Sequence, residues 1–245
     1  MQKQDRNHKK ATSLCLAIAS LSLLMPVAAK AANNSKEVER VKESGVVMKE
    51  LVNADNSIPL DILRKAECVI ILPSVKKAAF IVGGSYGRGV MTCRSGANFT
   101  GRWSAPSMMQ SMGGSLGFQI GGQATDFVIL VMNDKGAKAL QTGKVKLGGD
   151  ASIAAGPVGR TAEASTNLVM NAEMLSYSRA QGVFAGVSLS GSSLGPDDEA
   201  NEALYGKKVS ATDIVARHAV PTPASARLLL ATLTAKAPRN TSESK

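Results

Sequence analysis

The spacing of hydrophobic residues predicts helices at the start of the folded chain. Over residues 35–52 (SKEVERVKESGVVMKELV) apolar positions recur every three or four residues, as in an amphipathic helix, and Ser35 is a suitable N-cap. A second short helix is predicted within 58–66 (IPLDILRKA), where Pro59 suits the first turn. Both helices precede the most apolar part of the chain.

Strands are predicted in the middle of the chain. Residues 68–72, 78–82 and 127–132 are continuous apolar runs, too short for buried helices and bounded by Pro, Gly, Asn or Asp. Such runs are typical of strands that are buried on both faces. Residues 145–159 and 173–194 continue as strands that contain glycine.

Helical spacing returns towards the C-terminus. Residues 197–206 and 210–219 each predict a short helix, with Asp197 and Ser210 as N-caps. The predicted class is therefore α+β: a glycine-rich, strongly curled antiparallel sheet or barrel in the middle, with helices from both ends packed on it.

The ends of the chain differ from its middle. Residues 1–31 have a basic start, an apolar run and small residues at the exit, which predicts a secretory signal peptide cleaved after Ala31. A single domain is predicted over 32–220, followed by a C-terminal helix over 221–236 and a disordered tail over 237–245. The leader is typical of an exported bacterial protein, so the expected location is the periplasm or the surface of an envelope membrane.

Positive charge is concentrated in the predicted sheet. The chain has a formal net charge of +10, and residues 61–160 alone hold twelve basic and five acidic side chains. Coulomb attraction favours an anionic partner, and outside the cytoplasm anionic phospholipid is more suitable than nucleic acid. A surplus of this size also aids solubility, and the sequence leaves that alternative open.

Two cysteines remain once the leader is removed, Cys68 and Cys93. An even pair in an oxidising compartment is able to form a disulfide. Each also lies in an apolar or strand-like stretch, as buried thiols do, so both states stay open.

Residues 83–89 (GGSYGRG) follow an apolar run, as phosphate-binding loops do. Their glycine order is not that of a dinucleotide-binding loop, no P-loop lysine follows, and the chain continues into strand formers instead of a helix. The glycines are therefore predicted to let a strand bend or another backbone approach closely, with direct ligand contact as the alternative.

The sequence predicts no catalytic site. Beyond the leader His218 is the one histidine, and no Ser/His/Asp arrangement, carboxylate pair or metal-ligand spacing is present. The sequence therefore indicates a protein that is not an enzyme and that uses no cofactor or metal.

Basic residues are the candidates for function, because arginine and lysine near glycine or at strand ends can bind phosphate. Trp103 suits a membrane interface, with a core position as the alternative. The candidates for lipid or anion binding are Lys76, Lys77, Arg88, Arg94, Arg102, Trp103, Lys144, Lys146 and Arg160.

Several segments, taken in order, resemble the SYLF-domain family. They are ECVIILPSVKKAAFIVGGSYGRGVMTCR, WSAPSMM, GGSLGFQIGGQATDFVILVMN, AAGPVGR, YSRAQGVFAGVSLSG and LYGKKVSATDIV, and the resemblance spans about residues 36–217. It implies a β-rich fold with helices and membrane-lipid binding without catalysis. Eukaryotic members recognise acidic lipids and some bind actin, often beside an SH3 domain, whereas actin is not an expected partner of an exported bacterial member.

The functional hypothesis is non-catalytic binding of anionic membrane phospholipids. One alternative is a structural envelope protein that self-associates or binds a protein partner, and another is a periplasmic carrier of an apolar lipid. In eukaryotic members of the family an N-terminal amphipathic helix contributes to lipid binding. Residues 32–60 hold five acidic against four basic side chains, so that contact is not expected here.

Overall fold

The computed structural model describes residues 25–54, 58–79, 82–96, 98–116, 121–158, 171–180, 183–186 and 189–242. The helices are α1 (Met25–Asn53), α2 (Leu60–Lys65), α3 (Asp134–Thr142), α4 (Asp198–Tyr205), α5 (Ala211–Val215) and α6 (Arg227–Lys236), with a 3-10 turn at Ala224–Ala226. The strands are β1 (Cys68–Ala79), β2 (Val82–Cys93), β3 (Ser107–Leu116), β4 (Gly121–Val131), β5 (Val145–Lys146), β6 (Ile153–Ala155), β7 (Met174–Ala180), β8 (Val183–Gly186) and β9 (Ser192–Pro196).

The strands of the described residues form one sheet. Their order is β5-β9-β3-β2-β1-β4-β7-β6, and β8 pairs with β7. The pairings are antiparallel except that of β6 with β7. The sheet is strongly curled but open, and helices flank it, which confirms the predicted α+β class and selects the curled sheet over the closed barrel.

Side chains cover the central strands on both faces. Val69 and Ile71 pack into one hydrophobic cluster with α1, α2, α4 and α6, whereas Ile70 and Leu72 pack into another with α3 and α5. We call these two faces the α1 face and the α3 face. Successive residues of a strand point to opposite faces, so an uninterrupted apolar run is what burial on both faces requires.

β1 continues through Pro73, where the sequence predicted separate strands at 68–72 and 78–82. The register of β1 against β4 shifts between Leu72 and Val75. Ser74 has a φ of 51°, and its N–H donates to Oδ1 of Asp126 at 2.8 Å. Proline has no N–H for the ladder, so the strand accommodates it in a β-bulge and continues beyond it.

The starts of the helices α4 and α5 match the predictions, whereas the start of α1 differs from its prediction. Asp197 and Ser210 cap α4 and α5, as predicted, by accepting from the N–H groups of Ala200 and Asp213. α1 begins at Met25, ten residues before the predicted cap at Ser35. Residues 25–34 are rich in alanine, the strongest helix former, and this propensity extends the helix. Among the described helices, none combines the length and the apolar character needed to cross a membrane.

Candidate functional site

The glycine segment 83–89 lies inside β2, and the next regular element is the strand β3. A Cβ atom on Gly89 would lie 1.8 Å from the carbonyl oxygen of Ile71, and one on Gly87 would lie 2.5 Å from Cγ2 of Val75. Ile71 and Val75 belong to β1 and lie on either side of its bulge. The two glycines therefore allow β1 and β2 to approach closely, in agreement with the structural role that the sequence predicts.

Arg88 lies on the α1 face between two buried carboxylates. Its Nε lies 2.9 Å from Oδ2 of Asp197, and its Nη1 lies 3.9 Å from Oε1 of Glu37. Burial acts to lower the pKa of Arg88, but Asp197, Tyr86 and Glu37 outweigh burial and raise that pKa. This candidate for phosphate binding instead joins β2 to α1 and to the N-cap of α4.

Arg94 is buried, with 1% of its surface exposed, which contradicts its predicted contact with a lipid headgroup. Its Nε donates to the carbonyl oxygen of Ala66 at 3.2 Å, and its Nη2 donates to those of Ala237 at 2.9 Å and Arg239 at 3.1 Å. Burial lowers the pKa of Arg94 to about 10. A buried cation requires polar partners, and here backbone carbonyl groups supply them.

Trp103 occupies the core position that the sequence left as the alternative to a membrane interface. Its ring is buried, and Cζ of Arg94 lies 4.3 Å from the ring centroid, within the range of a cation–π contact. The indole N–H donates to the carbonyl oxygen of Ala237 at 3.2 Å. Arg94 and Trp103 together therefore have a structural role.

Residues 237–242 lie against the domain, although the sequence predicted disorder from 237 onwards. Asn240 donates through Nδ2 to the carbonyl oxygen of Phe99 at 3.1 Å, and the N–H of Thr241 donates to that of Arg64 at 3.1 Å. We call 237–242 the C-terminal strap. The polar composition of the strap predicts disorder. The structure differs because the strap is held by contacts with residues far away in the chain, such as Arg94, which composition does not show.

Cys68 and Cys93 form a disulfide between β1 and β2. They occupy directly opposite positions of this antiparallel pair, and both are buried. Of the two states that the sequence left open, the structure contains the disulfide.

Removal of the disulfide is expected to destabilise the domain. The bond joins residues 25 positions apart, so replacing both cysteines by alanine should lower the free energy of unfolding by about 3 kcal/mol. Urea unfolding under oxidising conditions measures the change. The untreated wild type and the wild type reduced with dithiothreitol are the controls, and a reduced wild type with an unchanged midpoint would contradict the expectation.

Four candidate cations are exposed and form no ion pair with another described residue. The side chain of Lys77 and the whole of Arg160 lie outside the described residues. The four exposed candidates are Lys76, Arg102, Lys144 and Lys146.

Two of these lysines belong to a line of side chains that crosses five strands on the α1 face. Directly opposite positions pair in succession from β1 through β2, β3 and β9 to β5. Adjacent strands lie about 4.8 Å apart, so the line is about 19 Å long. We call it the open row, and its members are Lys76, Tyr86, Met112, Ser193 and Lys146.

The centre of the open row is apolar and exposed. Tyr86 is 45% exposed and Met112 is 49% exposed, and the two residues are direct cross-strand partners. The sequence analysis selected Lys76 and Lys146 but missed these two residues. Strand periodicity could have indicated them. Tyr86 lies four positions before the buried Val90, and Met112 lies four positions after the buried Met108, so each shares the face of its buried neighbour.

A cavity of about 360 Å³ lies next to the C-terminal strap. Burial and the nearby Asp134 raise the pKa of Glu67, close to this cavity, to about 7. The charged lining of this cavity does not suit an apolar ligand, and in the part of the chain described here no group of His, Cys, Asp or Glu is placed to hold a metal ion. The lining includes Arg94, Ser95, Phe99, Asp134, Lys138 and Gln141.

Comparison with known proteins gives matches across most of the chain. The SH3 domain-containing protein PJ696.02 of Schizosaccharomyces pombe is 37% identical over 222 residues, which cover 88% of this chain and 50% of the relative. The LAS seventeen-binding protein 3 of Saccharomyces cerevisiae is 34% identical over 202 residues, 81% of this chain and 43% of the relative. The SH3 domain-containing YSC84-like protein 1 of Homo sapiens is 33% identical over 191 residues, 78% of this chain and 55% of the relative.

The chain spans about half the length of these relatives. The model of the Ysc84 family, described as "Las17-binding protein actin regulator", matches residues 112–236. That region begins in β3 and ends with α6. It contains in full four of the six segments that resemble the SYLF-domain family. The chain therefore belongs to the Ysc84 family, the family of SYLF domains.

Proposed function

We propose that this SYLF domain binds the surface of anionic phospholipid membranes and catalyses no reaction. The observation that carries the proposal is the open row, in which Lys76 and Lys146 flank the exposed side chains of Tyr86 and Met112. Lysine is attracted to anionic headgroups, and tyrosine and methionine tolerate the mixed polarity of a membrane interface. A surface with these residue types in one line has the chemistry that a phospholipid surface requires.

The rest of the sequence supports this proposal. The predicted leader over 1–31 would deliver the chain to a bacterial envelope, where phospholipid membranes supply the anionic surface. The resemblance to lipid-binding SYLF domains points the same way. Acidic side chains bind Arg88 and Arg179 on the α1 face, whereas Lys76 and Lys146 form no ion pair with another described residue.

Vesicle binding tests the proposal. The exported protein should sediment with vesicles that contain phosphatidylglycerol and should stay in solution with phosphatidylcholine vesicles alone. Raising the salt concentration should weaken the binding, because salt screens the headgroup charge. Equal sedimentation with both kinds of vesicle, or none with either, would contradict the proposal.

A charge reversal locates the contact. Lys76→Glu should lower the affinity for anionic vesicles at least about fivefold, because one lysine near such a surface contributes about 1 kcal/mol. Arg102→Glu is the matched control, since Arg102 is an exposed cation outside the open row. Equal losses in the two variants would indicate attraction to the net charge of the protein and no contact at the open row.

A protein partner is the second candidate function. Its support is the description of the family as Las17-binding actin regulators and the name of the yeast relative, LAS seventeen-binding protein 3. Self-association is one form of this function, and light scattering coupled to size-exclusion chromatography detects it. A stable oligomer that does not bind vesicles would favour this candidate over the membrane surface.

A further inference from the structure

We propose, on the basis of the proposed lipid binding, that Tyr86 and Met112 insert into the membrane interface while Lys76 and Lys146 contact headgroups beside them. The open row is then a specific, salt-resistant contact with the bilayer, in addition to the electrostatic attraction of a basic protein. The inference assigns an orientation: the hairpin end of the α1 face meets the membrane.

The first observation is that two exposed apolar side chains lie next to each other on the sheet. Within the described residues the exposed large hydrophobic side chains are Val46, Tyr86, Met112 and Leu228. Tyr86 and Met112 are directly opposite each other, and such partners have Cβ atoms about 5 Å apart. They therefore form one continuous apolar patch on the sheet.

The second observation is a bare surface beside that patch. The next line of residues towards the β1–β2 hairpin end on the same face pairs Ala78 with Gly84, and Gly84 with Gly114. On the other side of β1, Ala78 pairs with Gly122. Among the described residues, a Cβ on Gly84 would have no neighbour closer than 3.8 Å. Tyr86 and Met112 therefore border a line that consists of glycine and alanine. A lipid can approach the two side chains from that direction.

The third observation is the polarity on the opposite side of the patch. The next line towards the helices pairs Arg88 with Gln110. Arg88 is bound there to Asp197 and Glu37, which fixes a polar boundary between the patch and α1. The patch therefore has a bare side and a polar side, which sets the limit of insertion.

Charge complementarity favours an anionic bilayer as the occupant of this surface. Lysines stand at both ends of the open row, and the row contains no acidic residue. Tyrosine places its ring among apolar groups and its hydroxyl in water, and methionine adapts to irregular apolar surroundings. A protein partner would require a matching groove, whereas a bilayer interface accepts this row without one.

The test compares two pairs of substitutions. Tyr86→Ser with Met112→Ser should lower the affinity of the exported protein for phosphatidylglycerol vesicles about tenfold and should abolish the binding that remains in 1 M salt. Val46→Ser with Leu228→Ser removes two other exposed apolar side chains, which lie outside the open row, and should leave the affinity unchanged. Circular dichroism of each variant verifies that the fold is retained.

A fluorescent probe tests insertion independently of affinity. Met112→Cys provides a free thiol because the native Cys68 and Cys93 are joined in the disulfide, and bimane attached there should shift to the blue on addition of the same vesicles. Bimane on Arg102→Cys should not shift. If wild type binds anionic vesicles while the Ser pair binds equally well and the probe at 112 stays in water, the inference is wrong and lipid binding stands. If wild type binds no vesicles, both proposals fail.

Discussion

Alanine at position 89 is expected to unfold the domain or to lower its free energy of unfolding by more than about 4 kcal/mol. The new Cβ would lie 1.8 Å from the carbonyl oxygen of Ile71 and 2.8 Å from Cα of Leu72. Both are backbone atoms, so no change of rotamer relieves the overlap. β1 would have to move away from β2 at the bulge and break the pairing on which both hydrophobic clusters depend. Urea unfolding followed by far-ultraviolet circular dichroism measures the loss.

Gly84→Ala is the control for this prediction. Gly84 lies in the same strand, but the nearest atom to its Cβ would be the carbonyl oxygen of Gly113 at 3.8 Å, an ordinary van der Waals distance. The stability should therefore change by less than about 1 kcal/mol. A Gly89→Ala variant that unfolds at the wild-type urea concentration would show that β1 and β2 do not approach each other as described.

Replacing Arg94 by leucine is expected to lower the free energy of unfolding by about 3 kcal/mol or more. The buried carbonyl oxygen of Ala66 would lose its side-chain donor, at a cost of about 1–3 kcal/mol, and the partly exposed carbonyl oxygen of Arg239 would lose its donor at a smaller cost. The C-terminal strap would lose its main attachment. Urea unfolding measures the stability, and limited trypsin digestion followed by mass spectrometry should show faster cleavage after Lys236 and Arg239.

Arg102→Leu is the matched control, because it removes the same type of side chain from an exposed position eight residues along the chain. Its effect on stability should stay within about 0.5 kcal/mol, and the rate of cleavage in the strap should not change. If Arg94→Leu behaved like this control, the carbonyl contacts of Arg94 would not be needed to hold the strap.

The sequence predicts those parts of the fold that depend on local pattern. Asp197 and Ser210 were predicted as N-caps because a cap and its helix are adjacent in the chain, and the structure confirms both. The strand over 68–72 was predicted from an apolar run whose length and composition are local properties too. Pro73 shows the limit of this reasoning, because a proline marks a strand end or a bulge and only the pairing with β4 decides between them.

The candidate site was predicted only in part, since burial is not a local property. Lys76 and Lys146 are exposed as expected, whereas the equally basic Arg94 is buried with Trp103. A local sequence with arginine, tryptophan and glycine is compatible both with a phosphate-binding site and with a contact in the core, so it does not decide between the two. Met112 gave no signal by itself, and its significance depends on strand register, which places it opposite Tyr86.

The attachment of the C-terminal strap has a consequence for the order of folding. The carbonyl partners of Arg94 in the strap lie 143 and 145 positions after it in the chain. Until those residues have been synthesised, Nη2 of Arg94 cannot donate to them, and contacts between residues so far apart form slowly. The final closure of the domain therefore waits for the end of the chain.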